Sequence, residues 1–427
     1  MIQLNPLLVI FLAVFIGRSA TQVGLYQLNA SFLRREGDRV PDVFQDIVDR
    51  DKLKRISAYT LDSAKVGMVS TLFNQAVLLI ILLSGILPWL AECIHSWVLG
   101  EVAGGLVFFA VLSFATHLLG LPFSLYDTFV IEERYGFNTM TFRMWVSDLA
   151  KGLVLSALLG GLVLWGLLAL VVQTGSLWWV WAWIFLGLFE LLLLWLFPLV
   201  IAPLFNKFEP VENKHLEQQI ETLMDKVGLR VKGVFKMDAS KRSKHTNAYF
   251  TGVGRSKRIV LFDTLLESHG EEEILAVLAH EIGHWKKKHV LRQLLFVEIV
   301  SLAGLYAAAR FLGWPILYEA FGFQEMIPYV GLFLIGTGFS LIGYFAHPLE
   351  SAISRKYERE ADDFSLTLVK EPAPLISALK RLAAENLSNL NPHPIYAWYY
   401  YSHPPLAERI RRLLKVERDR QTSELRN

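Results

Sequence analysis

The chain has 427 residues, 53% of them hydrophobic and 19% charged, with a net charge of +2. That is sparse against the roughly 25% charged residues of an ordinary soluble chain, and a mean hydropathy of +0.37 points the same way. The near-neutral balance gives no reason to expect nucleic acid as a partner, and a single cysteine, Cys93, excludes an internal disulfide and any Cys-rich metal site.

Seven stretches reach the roughly 20 apolar residues that cross a bilayer. They lie near 5–28, 66–90, 98–120, 150–173, 177–204, 291–313 and 326–347. Arg18 interrupts the first, but no basic residue precedes it and no small-residue cleavage site follows, so it reads as a retained span rather than a signal peptide. Basic residues alternate between the loops. Segments 1–6, 91–97, 174–176 and 314–325 hold no Lys or Arg, whereas 30–65 holds Arg34, Arg35, Arg39, Arg50, Lys52, Lys54, Arg55 and Lys65. Loop 121–149 adds Arg134 and Arg143. Basic loops stay in the cytoplasm, so the expected topology has the N-terminus outside and the C-terminus inside. Glu190 falls near the middle of the fifth span, where a lipid-facing carboxylate is costly, so it is expected to face protein or water.

Between the fifth and sixth spans, NKHLEQQIETLMDKVGL reads as a helix, and VKGVFKM, NAYFTGV and KRIVLFD as three short strands. A further helix, EEEILAVLAHEIGHWKKKHV, is expected to run on into the sixth span, with Lys286 to Lys288 at the lipid headgroups. The expected organisation is 1–206 for spans one to five, 207–290 for a cytoplasmic catalytic segment, 291–347 for spans six and seven, and 348–427 for a C-terminal cytoplasmic helical segment.

The chemistry lies in HEIGH. His280 and His284 are about 40° apart around a helix, so both imidazoles reach one ion, and Glu281 flanks it without binding. This is the HExxH zinc arrangement of two ligands and a general base. A hydrolytic zinc takes a third protein ligand, and SRKYEREADDF offers it. Glu358 and Asp362 are four apart and share a helix face. Glu358 is the expected ligand, and Asp362 the acceptor that orients a ligand histidine. Glu360 points about 160° from Asp362, and His289 lies about 140° round from His284, so neither is expected to share the ion.

The wording of several stretches adds to this. LPFSLYDTFVIEERYGFN at 121–138, PLFNKFEPV at 203–211, HTNAYFTG at 245–252, RIVLFDTLL at 258–266, HEIGHW at 280–285, SRKYEREAD at 354–362 and YSHPPLAERI at 401–410 resemble the CAAX prenyl protease type 1 family of integral-membrane zinc endopeptidases. The resemblance implies an all-α polytopic membrane protein with seven transmembrane helices around an internal chamber, joined to a small α+β zinc-metalloprotease part. It implies one Zn2+ on His280, His284 and Glu358. It implies His403 and Arg409 as donors to a tetrahedral oxyanion, and an edge strand around Asn247, Ala248 and Tyr249 that takes up a substrate peptide. The expected partners are the lipid bilayer and a peptide or protein substrate, prenylated CAAX-type chains among them. The chain is somewhat short against eukaryotic members and ends in SELRN without a dilysine-type signal. A bacterial inner-membrane member is therefore expected, with the endoplasmic reticulum as the eukaryotic alternative. Two other functions compete: a quality-control protease of the same fold group, and a transporter or scaffold with structural zinc. An intact Glu281 argues against the second, since a structural site has no use for a base.

The basic-residue alternation makes a topology prediction. Reporter fusions after residues 95, 175 and 320 should read outside, and those after 45, 135 and 250 inside. A consistent inversion would overturn the seven-span orientation.

Overall fold

The computed structural model describes residues 2–37, 39–229, 231–252 and 257–424. Among these, seven helical segments are long and apolar enough to cross a membrane. Helix α1 (Pro6–Glu36) starts where the Asn5 side chain accepts from Leu8 N, with Pro6 at the first position, where a missing N–H costs nothing. Helix α2 (Arg50–Leu83) is capped by Asp49. It ends earlier than the apolar run suggests, because Gly85 takes a left-handed turn (φ 83°) into a separate short helix, α3 (Ile86–His95). Helix α4 (Gly100–Tyr126) continues as a wider π-turn over Asp127–Glu132. Helix α5 (Phe142–Gln173) is capped by Thr141, and α6 (Trp178–Leu196) runs through a second π-turn into α7 (Ala202–Phe205).

The soluble segment follows, with β1 (Phe208–Pro210), α8 (Lys214–Lys226), β2 (Val234–Met237), β3 (Ala248–Thr251), β4 (Arg258–Phe262), α9 (Asp263–Ser268) and α10 (Glu271–Lys286). Four strands, rather than the three expected, form a sheet in the order β1-β2-β4-β3. The strands β2 and β4 are parallel and the outer two antiparallel. Val253, expected at the end of the strand NAYFTGV, lies outside the described residues. Helix α11 (His289–Leu312) is the sixth span, α12 (Pro315–Glu319) is short, and α13 (Pro328–Val369) carries the seventh. Helices α14 (Ala373–Glu385), α15 (Pro394–Tyr400) and α16 (Leu406–Glu424) complete the chain.

The spanning helices α1, α2, α4, α5, α6, α11 and α13 each pack against the next, and α13 returns to α1, which closes a ring. One apolar core joins α3 and α12 to the ring, through residues such as Leu87, Phe108, Tyr318 and Val330. A second gathers Phe44, Leu53, Ile131, Leu379 and Ile410, and a third lies between the sheet, α8 and α10.

Two expectations need correction. The HExxH helix does not run unbroken into the sixth span, because Lys288 is left-handed (φ 56°, ψ 37°) and separates α10 from α11. The unbroken helix is instead the seventh. Its 42 residues make about 63 Å of helix, so residue 348 is no structural boundary. Pro348 inside it cannot donate to the Tyr344 carbonyl four residues back. The Tyr399 hydroxyl donates there instead (2.8 Å), which satisfies the orphaned acceptor.

Helix α10 lies on α13 at backbone contact. A Cβ added at Gly283 would come within 2.9 Å of the Ala361 Cα and carbonyl oxygen. Gly283→Ala is therefore expected to cost about 1–3 kcal/mol by overpacking and to lower Tm and metal retention together. Gly160→Ala, in a helix with nothing within 4 Å of its Cβ, is expected to leave both unchanged or raise Tm. Thermal melts of the detergent-solubilised variants with metal analysis decide it; equal Tm values would mean that the helices have room to part.

Candidate active site

Helix α10 is anchored before it presents its histidines. Glu273 accepts from the Gly270 N–H (2.8 Å), from the Ser377 hydroxyl (2.5 Å) and from Arg381 on α14. About two turns later, His280 and His284 face α13. His284 Nε2 lies 3.2 Å from His280 Nε2 and 3.1 Å from Glu358 Oε1, and His280 Nε2 lies 3.4 Å from Glu358 Oε2. Zinc bonds to N and O of about 2.0–2.1 Å put tetrahedral ligand atoms about 3.3–3.4 Å apart. The triangle therefore fits a tetrahedral ion with one position open. Glu358 is only 3% exposed, and its Oε2 is buried without a hydrogen-bond partner, an orphan that a cation would satisfy. The cluster also draws positive charge. Burial opposes the charged form of His280, but the neighbouring carboxylates of Asp362 and Glu358 outweigh it and hold the imidazole up at about 9.

Asp362 lies behind this triangle, with Oδ1 2.8 Å from His280 Nδ1. Arg409 grips the same carboxylate through Nε (3.0 Å) and Nη2 (2.6 Å), while Nη1 stands 3.4 Å from Glu358 Oε2. This differs from the expectation of a free oxyanion donor, since two arms of the guanidinium are committed to Asp362. His403 is the exposed member. Its Nε2 is 3.2 Å from Glu358 Oε1, and its Nδ1 meets the Ser402 hydroxyl. Glu281 lines the same cavity, and no hydrogen bond to a described residue holds its carboxylate.

That cavity has a volume of about 1270 Å³ and extends from His280, Glu281 and His403 to Leu191, Leu194 and Phe197 on the fifth span and Leu291 and Leu294 on the sixth. Glu190, the mid-span carboxylate, lines it too. Strand β3 forms one wall and is the open edge of the sheet. Phe262 N–H donates to the Asn247 carbonyl, and Tyr249 pairs with Val260, so by alternation Tyr249 turns its backbone groups inward to β4. The groups facing outward belong to Thr246, Ala248 and Phe250. Asn386 covers Thr246, accepting from its N–H (2.9 Å) and donating to its carbonyl (3.2 Å). Asn247 caps the Ala248 N–H with its own side chain (2.8 Å). The expected pairing strand of Asn247, Ala248 and Tyr249 is thus shifted by a residue. Ala248 and Phe250 carry the outward edge, and the Tyr249 ring packs on the far face, its hydroxyl 3.8 Å from Met237 Sδ. Alternation in the sequence shows which residues share a face but not the register that turns Ala248 and Phe250 outward.

Comparison with known proteins agrees along nearly the whole chain. Residues 29–207 match the family described as CAAX prenyl protease N-terminal, five membrane helices, and residues 210–417 match peptidase family M48. CAAX prenyl protease 1 of Saccharomyces cerevisiae is 36% identical, covering 87% of this chain and 88% of its own. The chain belongs to the CAAX prenyl protease 1 family. The Arabidopsis thaliana homolog is 35% identical over 92% of this chain and 93% of its own, and the Homo sapiens homolog 32% over 88% of each. The crystal structure of S. mikatae Ste24p superposes with a TM-score of 0.90 at 32% identity, covering 96% of this chain and all of that one. The chain is accordingly a multi-pass membrane metalloendopeptidase. These relatives are eukaryotic, and the expectation of a bacterial source finds no support in them.

The Arg409 geometry separates two roles. Breaking a buried ion pair strands the remaining charge at a cost of about 3–5 kcal/mol. Arg409→Ala should therefore lower stability by that amount and loosen metal retention, as read by denaturation and metal analysis. If stability is unchanged and only turnover falls, Arg409 is the oxyanion donor after all.

Proposed function

We propose that this chain is a zinc-dependent endopeptidase that cleaves C-terminally lipid-modified, CAAX-type substrates at the cytoplasmic face of its membrane. The observation that carries the reading is the single cavity that runs from the His280–His284–Glu358 triangle to the apolar faces of the fifth and sixth spans. A peptide with a lipid attached near its end needs both surfaces within a few residues of each other. The names of the curated relatives support the same substrate class.

His280, His284 and Glu358 would hold the ion. Bound zinc would supply Lewis acidity toward the scissile carbonyl and a lowered pKa for water. The substrate adds as a strand along β3, with its main chain on the outward groups of Ala248 and Phe250 after displacing the Asn247 cap. Glu281 accepts the proton of the attacking water and delivers it to the leaving amine. His403, whose ring is 62% exposed, donates to the oxyanion. Asp362 holds the His280 ring through Nδ1, and Arg409 holds Asp362. The basic loops support a cytoplasmic site, since 207–290 and 349–427 lie on the side rich in Lys and Arg.

The deciding experiment uses one preparation of the full chain, assayed for zinc and for cleavage of a farnesylated CAAX peptide and of an unmodified copy. Glu281→Gln should keep zinc and lose cleavage by a factor of about 10²–10⁴, the range of a general base. Loss of zinc together with activity would mean that Glu281 is structural. Equal cleavage of the two peptides, with preference for unfolded membrane proteins, would favour the quality-control reading.

A further inference from the structure

Asp362 accounts for the orientation of His280, but His284 touches no carboxylate through its Nδ1. Its Nε2 faces Glu358 and His280, so that nitrogen is turned to the ion. Its Nδ1 lies 3.1 Å from Nδ1 of His289. The other nitrogen of His289 is 3.1 Å from Glu360 Oε2, and Arg292 stands 3.2 Å from the same oxygen. His289 is 3% exposed and lies flat on Tyr357, with ring centroids 4.3 Å apart and planes 10° from parallel.

In an unbroken helix His289 would sit about 140° from His284. The break at Lys288 alters that geometry. The left-handed residue turns the chain between α10 and α11, and the first residue of α11 comes back beneath the ligand. Such a conformation is disfavoured for a lysine.

The hydrogen positions then follow. A neutral imidazole that offers Nε2 to an ion carries its proton on Nδ1. His284 Nδ1–H donates, so His289 Nδ1 accepts. His289 must therefore carry its own proton on Nε2, which donates to Glu360. An ionised Glu360 can only accept, so each proton in the chain has one place.

We propose that His289 and Glu360 are positioning residues for His284, a two-step relay that fixes the ring and tautomer of the second ligand as Asp362 fixes the first. This rests on reading the triangle as a metal centre. Helix α13 serves both ligands, with Asp362 behind His280, and Tyr357 and Glu360, three apart, beneath His289. Partners of this kind change metal affinity by about 10–100-fold when removed.

The test uses the detergent-solubilised full chain, with zinc affinity measured against a competing chelator and the Co2+ absorption spectrum as a second readout. His289→Ala and Glu360→Ala should each weaken zinc binding, the former by about 10–100-fold, and shift the Co2+ bands. His289→Asn, whose carbonyl oxygen can take the place of Nδ1, should recover part of the affinity. His289→Leu, which fills space without accepting, should not. Recovery by Leu equal to that by Asn would make His289 a packing residue and overturn the proposal. Wild-type affinity and spectrum in folded His289→Ala would do the same. Should His289→Ala fail to fold, Glu360→Ala decides, since Glu360 is partly exposed and ends the relay; unchanged affinity there overturns it. His284→Ala tests the metal reading separately: full zinc retention in that variant would remove the centre itself, whatever His289 does.

Discussion

The site depends on one helix crossing. Helix α10 meets α13 where Gly283 faces the backbone of Ala361. The functional residues sit around that point with the same spacing on both helices. His280 and His284 are three before and one after Gly283, and Glu358 and Asp362 are three before and one after Ala361. Each pair brackets the contact on one helix face, so closing the backbones brings four side chains to one place. A larger residue at either small position would part both pairs at once. Close packing is what converts two short motifs, about 75 residues apart, into one constellation.

The same contact sets an electrostatic problem. Glu358 and Asp362 are 3% and 1% exposed, and buried carboxylates persist only when they are paired. Arg409 enters from α16, and it is nearly as buried as the acids it serves. It neutralises Asp362 through two hydrogen bonds, whereas Glu358 receives only its third arm, at 3.4 Å. The residual demand for positive charge sits at the triangle, where the held-up His280 imidazole registers it. The protein thus neutralises Asp362 from its own chain and leaves Glu358, the carboxylate of the candidate metal site, with less.

Much of this was legible in the sequence, for physical reasons that also explain what was not. The spans were readable because 20 apolar residues admit few other uses. HExxH and the i, i+4 pair of Glu358 and Asp362 were readable because helix geometry fixes which side chains share a face. The misreadings come from places where local rules are overridden. The polar run Lys286–His289 carries no Gly or Pro to mark a break, so a left-handed lysine is invisible there, and His289 looked turned away. The apolar run ends near residue 347 and suggested a boundary there, but a hydroxyl from Tyr399, more than 50 residues later, supplies the donor that Pro348 lacks, and α13 runs on whole. Arg409 shared a motif with His403 and both line the cavity, yet only tertiary packing decides that two arms of Arg409 are taken up by Asp362. In NAYF the alternation was visible and the register was not, because register is set by the pairing with β4.

The continuity of α13 explains why hydrolytic chemistry stands at the edge of a bilayer. Taking the seventh span to end near residue 347, Glu358 lies eleven residues further on, about 16 Å along the same helix. Headgroup layers add only about 5–8 Å on each side, so Glu358 stands beyond them, in the water next to the membrane. The sixth span begins five residues after His284, across the Lys288 turn, with Lys286 and Lys287 beside it where basic side chains prefer to lie. Two membrane helices therefore hold the His280–His284–Glu358 triangle at a fixed height, one without a break and the other through a turn that brings His289 under His284. Motion of α11 against α13 would act on the centre directly. The ring of spans fixes both helices, and the cavity is lined by the mid-span carboxylate Glu190 as well as by Glu281. On the proposed reading, a bond cut there belongs to a chain whose lipid stays on the apolar wall.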